Sequence, residues 1–170
     1  MKKILFLFLS GTTLLMAQIG HQGSQSKSAT PSYLTPSSSL NQKGALALLL
    51  RANTLAEESD KKIAVAVLDS AGNVILLTSG DGVGPHNVKA AQRKAFTALS
   101  TKTATLQLSR NVATNPDTSY LSTVSELLLL GGGVPIVINN NLVGSIGIAG
   151  GGGPEQDDLL AKQTLSVLNN

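Results

Sequence analysis

Gly80-Asp81-Gly82-Val83-Gly84-Pro85-His86 runs directly into Asn87-Val88-Lys89-Ala90-Ala91-Gln92-Arg93-Lys94-Ala95-Phe96-Thr97-Ala98, and this stretch offers the chain's best opportunity for chemistry. A glycine-rich loop closed by proline opens a helix and puts a histidine in its first turn. His86 is one of two histidines, and the other, His21, falls in a Ser/Gln-rich tether. At helical spacing His86, Ala90, Arg93 and Thr97 share a stripe flanked by Lys89, while Val88, Ala91, Ala95 and Leu99 form the apolar side expected to face the core. His86 is therefore expected to meet solvent, a pocket or a partner subunit. The positive end of a helix favours a neutral imidazole, whose nitrogen lone pair suits a metal or a haem iron. Free N–H groups at the same helix start can receive an anion, and Arg93 and Lys89 can pair with a carboxylate. A plain surface histidine is the competing reading.

Other motifs carry less. The glycines before His86 lack dinucleotide spacing, and no Lys-Ser/Thr pair follows as in a phosphate loop, so a sharp turn is the better account. Gly150–Gly153 precede Glu155, Asp157 and Asp158, which put negative charge where a phosphate would sit. Glu155 and Asp158 share a helix face that suits a weak cation, although acids in a first turn also simply complement the helix dipole. The chain has no cysteine, which excludes disulfides, thiolate catalysis and Cys-based metal sites. It has no Gly-x-Ser-x-Gly elbow either. Asp69 and Asp81 read as turn formers and Glu126 as a strand-edge charge. No constellation compels an enzyme, and a non-catalytic protein is expected.

These residues need an exported domain to hold them. Lys2 and Lys3, the apolar run from Ile4 to Leu9 and a small residue at Ala17 make residues 1–17 a signal peptide, too interrupted to be a membrane span. A periplasmic or secreted location follows. Two of the 13 Lys and Arg lie in that segment, leaving 11 against 10 acids, so the basic pI is partly a targeting feature. With so little net charge, and only Phe96, Tyr33 and Tyr120 as aromatics beyond the signal, no nucleic-acid surface is expected. Residues 18–38 are too polar to bury a core and read as a flexible linker, leaving 39–170 as one domain.

Within that domain Ser39 and Gln42 suggest a capping box for a helix from Leu40 to Ser59. Ile63–Leu68 and Val74–Thr78 form a hairpin across the turn Asp69–Asn73. The His86 helix runs to about Ser100, and a shorter helix covers Thr105 to Val112. Three further strands are expected at Leu127–Leu130, Val134–Ile138 and Leu142–Ala149. A helix opens at Pro154. Antiparallel strands with packed helices make the class α+β. Leu127–Leu130 is apolar on both strand faces, which calls for a covering helix or another subunit.

The chain resembles the GlcG/HbpS family of small haem-binding proteins, also found as a domain appended to some corrinoid adenosyltransferases. The resemblance is carried by Val65–Asn73, Asp81–His86, Arg93–Ala98, Gly131–Ile136 and Val143–Gly151, in family order and across nearly the whole domain. It implies a profilin-like α/β/α fold with a five-stranded antiparallel sheet and helices on both faces. It also implies a ring-like or octameric homo-oligomer, haem as cofactor, and a role in haem or iron capture, storage or redox sensing, with a membrane sensor or transporter as partner. In such proteins the helix after the Asp-Gly-x-Gly-Pro loop and a Thr-containing segment behind it lie near the ligand. Here these are His86 and Thr103-Ala104-Thr105, with Thr105 or Tyr120 as alternative iron ligands. Two other readings stay open: a cofactor-free accessory or sensor module, and an enzyme acting on a small hydroxy acid.

Overall fold

Strand β1 (Ala64–Asp69) alternates side-chain size rather than polarity, and that alternation organises the molecule. The computed structural model describes Tyr33 and residues 37–169; the expected signal peptide, His21 and the rest of the expected linker to residue 36 lie outside the described residues. Val65 and Val67 enter one core with Ala45, Leu48, Ala52 and Leu55 of α1 (Gln42–Glu58) and Leu160 and Ala161 of α4 (Pro154–Thr164). Ala64, Ala66 and Leu68 point the other way, onto Ala91, Ala95 and Leu99 of α2 (His86–Thr101). Period-two alternation puts successive residues on opposite faces, so the valines meet two helices and Ala64 and Ala66 admit α2 closely.

The same arrangement repeats in β4 (Asn141–Ala149). Ile146 and Ile148 join the α1/α4 core, while Ser145 and Gly147 lie under α2. The Ser145 hydroxyl donates to the Ala95 carbonyl at 2.8 Å. A Cβ on Gly147 would run into the Ala91 carbonyl, and one on Gly133 into that of Lys94. Only glycine permits this backbone-to-backbone approach.

The sheet has four strands in the order β2-β1-β4-β3, with β2 at Val74–Ser79 and β3 at Gly133–Ile138. All pairings are antiparallel. The α+β class and helices on both faces hold, but the expected five-stranded sheet does not. Leu127–Leu130 is no strand. Its backbone is taken by side chains of the helices beneath it: Thr97 Oγ1 accepts from Leu128 N–H at 2.8 Å, and Arg93 Nη2 donates to Leu127 O at 2.6 Å. Thr105 Oγ1 donates to Leu130 O at 2.8 Å. With its polar groups occupied this way, the segment lies as a strap across α2 and its leucines are mostly half-buried. An apolar strand in want of a covering subunit is therefore not what this run supplies.

Two boundaries shift for local reasons. Asn41, not Ser39, caps α1, accepting from Gly44 N–H at 3.0 Å, while Ser39 Oγ accepts from Ser70 N–H at 3.1 Å. Helix α3 (Thr105–Thr114) extends beyond Val112 and leads into a 3-10 stretch at Pro116–Thr123. Among the described residues no helix is long and apolar enough to cross a membrane.

Candidate ligand groove on the outer side of α2

The outer side of α2 carries Lys89, Gln92, Arg93 and Phe96, which line a mostly apolar groove of about 310 Å³. Leu68 and Gly72 of the first hairpin close one wall, and Ser125 and Glu126 of the strap close the other. The hairpin wall is shaped by Asp69. Its Oδ1 accepts from the N–H groups of Ala71 and Asn73 at 2.9 and 2.8 Å, and its Oδ2 from the Asn73 amide at 2.9 Å. The Asn73 side chain and these N–H groups hold the Asp69 carboxyl below the ordinary carboxylate range. Glu126 is lowered too, by its own N–H, then the Ser125 hydroxyl, with a contribution from the Arg93 charge.

The expected site residues separate into two groups. Lys89 and Arg93 share the groove, and His86 stands exposed one turn earlier on the same helix. The His86 ring lies back against Gly84, whose added Cβ would be 3.0 Å from it. Thr97 and Thr105 go elsewhere: both are fully buried. The Thr97 hydroxyl donates to Arg93 O at 2.7 Å and holds the strap. That of Thr105 serves Leu130 O and also accepts from Gly133 N–H at 2.8 Å. The Thr103 hydroxyl donates to Thr101 O at 2.9 Å. Tyr120 is exposed on the 3-10 stretch packed against α3 and does not line the groove.

Arg93 differs from its expected role as a free cation. Its Nη2 donates to Ser125 O at 2.7 Å and to Leu127 O at 2.6 Å, while its buried Nε–H has no partner among the described residues. The neighbouring Lys94 was not singled out by sequence. It is 1% exposed and donates to Asp157 Oδ2 at 2.7 Å and to Ile148 O at 3.0 Å. Asp157 Oδ1 in turn accepts from Gly151 N–H at 2.7 Å, filling with its own carboxylate the glycine loop that sequence had weighed for phosphate. The signal was present: Lys94 occupies the core side of an Ala91/Ala95/Ala98 stripe. Asp158 pairs with Lys162 at 2.7 Å and Glu155 with Arg110 at 3.7 Å, so the acids of α4 work within the fold. No cluster able to hold a metal ion occurs among the described residues.

Residues 40–166 match the family described as "Haem degrading protein HbpS-like". The chain belongs to this family. It is 33% identical to a solved double mutant of Streptomyces reticuli HbpS, with TM-score 0.75 over 84% of this chain and 95% of that one. Protein GlcG of Escherichia coli K12 is 30% identical over 110 residues, 65% of this chain and 81% of GlcG. A solved PduOC:heme complex is 25% identical, with TM-score 0.69 over 77% of this chain and 96% of that one.

The groove residues fit a haem. Phe96 would offer apolar surface to a porphyrin, Lys89 offers an exposed cation, and the orphaned Arg93 Nε–H lacks an acceptor such as a propionate would provide. His86 lies one turn earlier on the same helix, outside the groove lining, and is the imidazole that would be available to an iron.

Proposed function

We propose that this protein binds haem on the outer side of α2 and serves in haem or iron capture, storage or sensing after export. A haem-related function follows from the family and its haem-bound neighbour. The observation that carries the location is the apolar groove with Lys89 and Arg93 beside it and His86 on the same helix. In this reading His86 would ligate iron, Lys89 would pair with a propionate, and Phe96 would exclude water from part of one porphyrin face. Bound haem would supply one-electron redox chemistry. Self-assembly belongs to the same proposal, supported by Leu46, Leu50 and Leu159, which are 46%, 68% and 50% exposed on α1 and α4. The haem would pass to a membrane sensor or transporter.

Titration of the mature chain with hemin, followed in the Soret band beside His86→Ala, tests this. The expected result is a saturable shift near one haem per subunit, lost or blue-shifted in the variant. An identical shift in both proteins moves ligation away from His86. No saturable shift overturns the haem reading in favour of a cofactor-free module.

A second reading, breakdown of the bound porphyrin, is favoured by the description of the matched family. Steady bleaching of the Soret band with reductant and dioxygen both present, with release of iron and no bleaching when dioxygen is excluded, would select it over storage.

A further inference from the structure

The strap over α2 has no strand partner, and three side chains hold its backbone: Arg93, Thr97 and Thr105. Two of these anchors are sealed in the interior and satisfied by buried hydroxyls. Arg93 is unlike them. It borders the groove, commits Nη2 to two neutral carbonyls, and leaves Nε–H buried with nothing to donate to. A buried donor without an acceptor is costly, and a guanidinium binds a carboxylate better than carbonyls because the bonds are charge-assisted and can be paired side-on.

Resting on the haem reading above, we infer that Arg93 is a clasp that a carboxylate unfastens. An anionic ligand entering the groove takes Nε–H and one Nη2 hydrogen side-on, so one of the two strap carbonyls, Ser125 O or Leu127 O, loses its donor. The Ser125–Leu127 end of the strap then keeps one Arg93 bond instead of two, while Thr97 and Thr105 still hold Leu128 and Leu130. Full docking of the strap and side-on pairing of Arg93 with a carboxylate are mutually exclusive, because the strap uses both Nη2 hydrogens. Glu126 reinforces the exclusion. It lines the groove as an exposed acid, so a docked strap presents a like charge to the incoming group, and release of the strap withdraws it. The groove thus reports its own occupancy: a propionate-bearing ligand converts a closed surface segment into an open one, which a partner protein can read.

Hydrogen exchange of the strap amides tests the clasp with a readout independent of haem chemistry. With hemin at Soret saturation, the Leu127 amide, which donates to Val124 O at 3.1 Å within the stretch Arg93 holds, is expected to exchange about tenfold faster or more. Hemin dimethyl ester, which lacks free carboxylates, should leave the strap as it is in the free protein. Arg93→Gln should show fast strap exchange before any ligand is added, with β1 and β4 amides still protected as a check on folding. Unchanged or slower strap exchange at hemin saturation overturns the clasp, as does equal opening by the ester. If Arg93→Gln fails to fold, the hemin and ester arms on the native chain still decide. Absence of any Soret change overturns the haem reading itself, and the clasp with it.

Discussion

Arg93 and Lys94 are adjacent cations on one helix with opposite fates. Lys94 points inward, is 1% exposed, and joins α2 to the β4 carbonyl of Ile148 and to Asp157 of α4. Arg93 points outward, borders a groove, and has an unsatisfied donor. A buried charge persists only when paired and hydrogen-bonded, so the inner site is closed to ligands by its own completeness. The outer site remains incomplete, and incompleteness is what a binding site requires. The contrast teaches that charge alone does not mark function in this helix; the state of its hydrogen bonds does.

The largest effect should come from the inner side. Lys94→Met leaves Asp157 buried without its cation and is expected to cost about 3–5 kcal/mol. The check is a urea titration whose midpoint falls with little change in slope. A Lys94→Met/Asp157→Leu double variant should recover part of the loss, and full sensitivity in both would break the pairing argument. Thr105→Val is expected to cost about 1–3 kcal/mol, because Leu130 O and the Gly133 N–H lose their buried partner together. Hydrogen exchange in that variant should rise at Gly133, whose N–H loses its acceptor.

The smallest effect belongs to the groove's hairpin wall. Asp69→Ala removes a partly exposed turn network and should cost at most about 1 kcal/mol at neutral pH. Because the Asp69 carboxyl lies below its ordinary value of 3.8, its stabilisation is complete above that value and is lost as pH falls through the lower folded-state value. The stability gap between native and variant proteins should therefore close in acid. A gap that persists at pH 2 would place the Asp69 contribution in packing rather than in its charge.

Much of the architecture was legible because turns and helix starts are local. The Asp69–Asn73 and Asn139–Asn141 turns and the Pro154 start all rest on residues that fix their own backbone. The Leu127–Leu130 segment misled because its apolar composition is strand-like, while its hydrogen-bond partners, Arg93 and Thr97, lie some thirty residues away. No pattern within the segment encodes them. The size alternation Val65-Ala66-Val67 and Ile146-Gly147-Ile148 was readable but hides inside runs that look uniformly apolar. At the site, the His86 stripe correctly separated Lys89 and Arg93 from Ala91, Ala95 and Leu99. It placed Thr97 outward too, although the strap buries it. Asp157 could not be matched to Lys94 without the sheet that brings α4 beside α2.

The close contacts at Gly133 and Gly147 have a mechanical result. Where α2 meets β3 and β4, carbonyl groups rest against main chain with no side-chain cushion between them. A helix seated that way can neither roll nor slide by even a methyl's width without collision, and packed interiors resist such compression. If a ligand enters the groove, the helix would be the stationary part, and adjustment would fall to the chain around it, the strap and the β1–β2 turn.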